Sequence, residues 1–210
     1  MIIFDVETDG LLKEVTKIHC MVAKDTDTLQ VFKAVGHDEV TKLFKEISKK
    51  TLAGHNIMGY DLPVVEKVLG LTHEGEVFDT LVATRTIWPN LRDIDQRKKT
   101  VRPQFTGSHS LDAWGQRLKF FKGDYGKQEN AWDVYTPEML EYCEQDVELN
   151  HKVFERIVAK NFPPAALAME HTMHRLLLQQ ERIGFPFSVE KAQALYSTLS
   201  DRKQSIADEL

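Results

Sequence analysis

The chain has 210 residues, 42% of them hydrophobic and 28% charged, and its formal net charge is −5. This composition excludes the disordered and membrane-spanning classes and suits one α/β domain with an appendage. The mild acidity excludes a protein that coats duplex DNA through overall charge, so any nucleic-acid contact must rest on local features.

The opening Met1-Ile2-Ile3-Phe4-Asp5 lacks a basic leader and meets a carboxylate at once. It therefore predicts a folded strand rather than a signal peptide, and a cytoplasmic protein. No apolar run reaches the roughly 20 residues of a bilayer span, so no membrane contact is expected. Residues 1–8, Lys17–Lys24 and Leu29–Val35 read as the strands of a meander, with turns at Thr8-Asp9-Gly10 and Asp25-Thr26-Asp27. Asp38–Lys50 has the apolar spacing of an amphipathic helix, through Val40, Leu43, Phe44 and Ile47, and Thr51–His55 reads as a short buried strand. Asp61 stands in an N-cap-like place before a helix whose first turn holds Pro63 and whose end is Gly70. Val77–Thr80 predicts a strand feeding a helix through Ile87, which Pro89 stops.

The stretch Arg92–Arg102 carries five basic and two acidic residues and few apolar ones, which predicts an exposed loop able to follow a phosphate backbone. Helices follow over Ser108–Lys119 and Pro137–Lys160, the second with a threonine cap at Thr136 and proline at its first position. His109 belongs to a helix start, and Trp88, Trp114 and Trp132 read as core or lid residues. Pro163-Pro164 ends the long helix and sets a boundary near residue 161. Ala165–Arg182 then forms a helix closed by Gly184, and Ser188 caps a last one through Ala192, Leu195, Tyr196 and Leu199. His171 and His174 have metal-pair spacing without a third ligand, so a structural role is expected. Cys20 and Cys143, far apart and outside any CxxC, read as reduced buried thiols.

Four carboxylates carry the chemistry. Asp5 and Glu7 lie two apart on the first strand and so share a face, while the flanking Ile2-Ile3-Phe4 marks that strand as buried. Two buried acids without compensation cost several kcal/mol by the usual scales (~3 each or more), so a positive partner is required. Tyr142 and Asp146, four apart on the long helix, share a face one turn apart. Gly54-His55-Asn56-Ile57-Met58-Gly59-Tyr60-Asp61 is a strand end, a polar loop and an acid opening a helix. If Asp5, Glu7, Asp61 and Asp146 converge, hard divalent cations resolve their repulsion, and oxygen ligands favour Mg2+ or Mn2+ over zinc. Two such ions can stabilise both oxygens of a phosphoryl displacement.

The order Asp5-x-Glu7, Asn56-x4-Asp61, Tyr142-x3-Asp146 resembles the tyrosine subclass of the DEDD 3′→5′ exonucleases. The histidine subclass would want histidine where this chain has Glu141. The segments FDVETDGLL, GHNIMGYDLP, VFDTLVATR and SHSLDAWGQRL are similar to the exonuclease domain of family-A replicative DNA polymerases from short-tailed phages. His174–Val189 resembles the linker helix by which such polymerases enter their polymerase domain. The resemblance implies a ribonuclease-H-like α/β fold, a mixed sheet flanked by helices, with a C-terminal helical extension. Residues 1–160 would be the exonuclease domain and 161–210 a linker helix and truncated start of a polymerase domain, without the palm and fingers motifs.

By the same resemblance, Asp5, Glu7 and Asp146 hold one ion and Asp61 anchors a second that Asp5 shares. Tyr142 orients the attacking water with Glu7. Leu11 wedges between the last two bases, while Thr8 and Asn56 position the terminal nucleotide. The implied activity is proofreading removal of 3′-terminal nucleotides from single-stranded DNA or a frayed primer terminus, beside the polymerase domain of one parent chain, in the host cytoplasm if phage-encoded. Two alternatives stay open: an RNA-processing exonuclease of the same superfamily, and a silent docking module that keeps the fold.

Overall fold

In the computed structural model, residues 1–121, 123, 125–128 and 130–209 are described. Five strands form one sheet in the order β3-β2-β1-β4-β5, with β1 (Ile2–Thr8) at its centre. The meander β1, β2 (Ile18–Asp25) and β3 (Val31–Val35) is antiparallel, and β4 (Leu52–Gly54) and β5 (Val77–Asp79) extend the other side in parallel. A central strand buried on both faces needs apolar residues at every position, and Ile2, Ile3, Phe4 and Val6 supply them. Asp5 and Glu7 are the departures from that rule.

Among the described residues there are eight α-helices: α1 (Gly36–Ile47), α2 (Asp61–Leu69), α3 (Thr80–Ile87), α4 (Leu91–Lys98), α5 (Leu111–Leu118), α6 (Pro137–Val158), α7 (Pro164–Ile183) and α8 (Val189–Asp208), all but α4 in the expected order. The buried face of α1 is the predicted set Val40, Leu43, Phe44 and Ile47, and Phe44 meets Phe4 edge-on. On the opposite side α6 packs on β1 and β2, joining Met139, Cys143 and Val147 to Ile3, Cys20 and Val22. Thr136 caps α6 through the Met139 N–H, with Pro137 in the first turn. Each large apolar side chain so buried contributes about 1.5–3 kcal/mol, which is what holds α6 over the middle of the sheet.

Two expectations are corrected. The stretch Arg92–Arg102 is not a loop throughout, because residues 91–98 form α4. Leu91 and Asp95, four apart, both turn inward: Leu91 enters a core with Trp114, Val153 and Ile157, and Asp95 takes a two-pronged bond from Arg117. These anchors override a weak local apolar pattern. Asp61 is also no N-cap, since Tyr60 holds that place and Asp61 is the first helical residue.

The chain divides into two compact units, Met1–Arg175 and Leu176–Leu210. The division lies beyond residue 161, within α7. The first half of α7 belongs to the first unit because His171 is buried there, with its ring 5.2 Å from that of Phe78. In the second unit, Ser188 caps α8 through the Lys191 N–H, and Leu195, Tyr196 and Leu199 are exposed. No helix among the described residues is long and apolar enough to cross a membrane.

Candidate active site

Period-two alternation turns Asp5 and Glu7 to one side of β1, opposite Val22 and Cys20 on β2. One oxygen of each acid and the Cys143 sulfur all lie within 4.8 Å of one another. The Cys143 thiol donates toward the Asp5 carbonyl at 3.4 Å and its Oδ2 at 3.7 Å. Burial, then the Cys20 thiol and the charges of Asp5 and Glu7, push the Cys143 thiol well above its ordinary pKa, so it stays a thiol. Both cysteines are free and buried, as expected.

Asp61, the first residue of α2, is buried. The backbone N–H groups of Asp61 itself and of Val6, which lies between Asp5 and Glu7 on β1, favour its charged form. Burial raises its pKa to about 7, helped by the negative charges of Asp79 and Asp146 and opposed by the two N–H groups. Its Oδ1 is buried without a hydrogen-bond partner. Asp146, also buried, sits on the face of α6 that meets β1 and exerts its charge on Asp61. Asp61, Glu7 and Asp5 in turn act on the Tyr60 phenol, whose pKa is raised first by burial and then by those three charges. The four acids named from sequence therefore share one electrostatic neighbourhood. Crowded buried carboxylates with an orphaned oxygen fit a site for a divalent cation, and all-oxygen donors suit a hard one.

The other sequence-named residues sit around this cluster. Tyr142, one turn before Asp146, packs its ring 5.9 Å from those of Tyr125 and Trp132. Thr8 is buried at the end of β1, where its hydroxyl lies 2.5 Å from that of Tyr60, and both reach the Gly10 carbonyl. Leu11 is 76% exposed on the turn that follows, so it is no core leucine. Asn56 adopts φ +67°, a left-handed conformation that asparagine tolerates. Its side chain lies over Gly59, where a Cβ would come within 2.5 Å of the Asn56 Oδ1. A side chain at Gly59 would have to displace the Asn56 amide.

Sequence reasoning missed Asp79. Its carboxylate accepts hydrogen bonds from the N–H groups of Asn56 (3.0 Å), Met58 (3.2 Å), Leu81 (2.9 Å) and Val82 (3.4 Å). It therefore caps α3 and fixes the loop that delivers Asp61. The Asp79 N–H donates to His171 Nε2 at 2.8 Å, and His171 Nδ1 bonds the Leu167 carbonyl at 2.7 Å. That makes His171 structural, as expected. The sequence signal for Asp79 was an N-cap acid before Thr80-Leu81-Val82, but its second task, on a loop more than twenty residues earlier, left no local trace.

Beside the loop, a groove of about 530 Å3 is lined by His55, Arg85, Gly107, Ser108, His109 and Ser110. His55 Nδ1 lies 3.0 Å from the Thr80 hydroxyl, which donates to Asn150 Oδ1 at 2.7 Å. Burial, then the charges of Arg117 and Arg85, hold the His109 pKa down at about 4, so the groove wall is neutral there at pH 7.

No protein-family model matches the chain. The DNA-directed DNA polymerase of Escherichia phage T7 is 30% identical over 257 aligned positions, covering 100% of this chain and 36% of the polymerase. The chain is thus similar along its whole length to this phage polymerase. It spans about a third of the length of the polymerase it matches. Among solved structures, Brucella melitensis NrnC with bound Mg2+ superposes on this chain with a TM-score of 0.54, at 20% identity, covering 90% of each chain. Escherichia coli RNase D, an exoribonuclease, gives a TM-score of 0.51 at 18% identity, covering 88% of this chain and 45% of its own. These likenesses show the fold, the ribonuclease-H-like α/β arrangement expected from the motifs.

Proposed function

We propose that the chain is a 3′→5′ exonuclease domain of a DNA polymerase, which proofreads by removing terminal nucleotides from single-stranded or frayed DNA ends. The observation that supports this reading is the closeness of Asp5 and Glu7 on the central strand, with the charges of both and of Asp61 acting on Tyr60 and that of Asp146 acting on Asp61. Kinship with a phage DNA polymerase supports DNA as substrate and a polymerase domain in the same parent chain. Residues 161–210 would form the linker helix and the start of that domain.

Asp5, Glu7, Asp61 and Asp146 would hold two divalent ions, Mg2+ or Mn2+, with Asp5 shared between them. Such ions supply charge for a hydroxide nucleophile and for the leaving 3′-oxygen. Glu7 and the Tyr142 phenol orient the attacking water; a phenol with a pKa near ~10 remains a proton donor at neutral pH. Leu11, exposed on its turn, stacks against the terminal bases, and apolar stacking tolerates any sequence. Thr8 and Asn56 hold the terminal nucleotide. Mismatched ends are chosen because they unpair more easily, by a few kcal/mol (about 2–3), rather than by recognition of a wrong base.

The test is digestion of matched 5′-labelled DNA and RNA oligonucleotides with Mg2+. A descending ladder from the 3′ end of the DNA is expected, removed by EDTA and by Asp5→Ala, with circular dichroism of the variant unchanged. Preference for RNA would overturn the substrate assignment, and undiminished cleavage by Asp5→Ala would overturn the site.

A further inference from the structure

The acid cluster and its loop account for one end of a bound strand, and the helix α4 carries a feature they do not use. Arg92, Arg97, Lys98, Lys99 and Arg102 are all exposed on α4 and the segment after it. Among the described residues no ion pair engages any of the five. Asp95, one of the two acids of this stretch, is withdrawn into the interior by Arg117 at 2.7 Å and by the Gly107 N–H at 2.9 Å. The segment therefore presents five exposed cations against one exposed acid, Asp93, in a chain whose net charge is −5.

The placement of this face gives it direction. Arg92 and Arg97 lie about 140° apart around the helix, with the exposed Asp93 and Gln96 between them, and Lys99 follows as the C-cap in a left-handed conformation at φ +52°. Gly107, in a left-handed conformation at φ +77°, packs so closely on Arg92 that a Cβ there would come within 2.9 Å of the Arg92 Cβ. Gly107 also lines the groove whose other wall holds His55, and His55 directly precedes Asn56 in the loop leading to Asp61. From the acid cluster, an unbroken series of neighbours runs through the His55 loop and the groove to the basic side of α4. The anchors Leu91 and Asp95 hold that helix in place, so its cations need no folding transition to be presented.

We propose that the basic face of α4 is the binding track for the phosphodiester backbone of the strand several nucleotides away from the end being cut. The inference rests on the nuclease reading for the identity of the strand, and it adds where the rest of that strand lies. Cations on such a track act through counterion release, so they set affinity and its salt dependence without reading sequence.

The test measures binding apart from cleavage. A fluorescent 12-nucleotide single strand is titrated with the full chain in EDTA by anisotropy, over a range of salt, for the unmodified protein and for the triple variant Arg92→Glu, Arg97→Glu, Lys99→Glu. Each phosphate contact contributes about 0.7 to the slope of log K against log salt for a single strand, so loss of three contacts lowers the slope by about 2. A weakening of tenfold or more at low salt is expected with it. Equal slopes and affinities for the two proteins, or no binding by the unmodified protein, would overturn the track. Retained binding together with absent Mg2+-dependent cleavage would instead count against the nuclease reading alone. Thermal unfolding of the variant at an unchanged midpoint excludes misfolding as the cause.

Discussion

At the scale of single residues, burial decides which groups are chemically unusual. His109 is held neutral by burial and by the cations of Arg117 and Arg85, against the pull of Asp95. Its folded pKa of about 4 lies below the ordinary 6.5, so between those values the unfolded chain binds more protons than the folded one. Its contribution to stability is complete above pH 6.5 and is lost as the pH falls toward 4. His109→Gln, which cannot titrate, should flatten the decline in urea-unfolding free energy between pH 7 and 5, and an unchanged decline would contradict this. The acids were legible because strand and helix periods turn a two-residue and a four-residue spacing into shared faces. Asp79 and Tyr60 were not, because their work is done across the chain, on Asn56 and Met58 and on Thr8 and Gly10.

At the scale of elements, the turn after β1 shows how a short segment is held without a core of its own. Asp9 accepts from the N–H groups of Thr16 (2.8 Å) and Lys17 (3.0 Å), and Lys67 of α2 donates to the carbonyls of Leu12 (2.9 Å) and Lys13 (2.8 Å). The Glu14 and Val15 N–H groups return to the Leu11 carbonyl, which leaves the Leu11 side chain outward. Lys67→Met should therefore speed hydrogen exchange of the Glu14 and Val15 amides by about tenfold, one charged hydrogen-bonding group being worth roughly 1.5 kcal/mol, while amides of β1 stay protected. No change at the turn would show that Lys67 does not brace it. Strands and capped helices were readable from alternation, Thr136-Pro137 and glycine stops. The helix α4 was not, because its two inward residues include a charged one, Asp95, whose burial depends on Arg117 twenty-two positions later.

At the scale of the molecule, opposite charges are sorted in space: acids gather at the centre of the sheet, and the unpaired cations of α4 stand at the far side of the neighbouring groove. Neither composition nor net charge reports that sorting, since −5 is only its sum. On the proposed reading, a polyanionic strand would be drawn to one region and cut at the other. The whole account depends on cations shared by side chains from β1, α2 and α6. Its most direct test is a crystal soaked in Mn2+, read by anomalous scattering. Two peaks are predicted, with Asp5 on both, Asp61 on one, and Glu7 and Asp146 on the other. An absence of manganese at these acids, with the ion in excess, would contradict it.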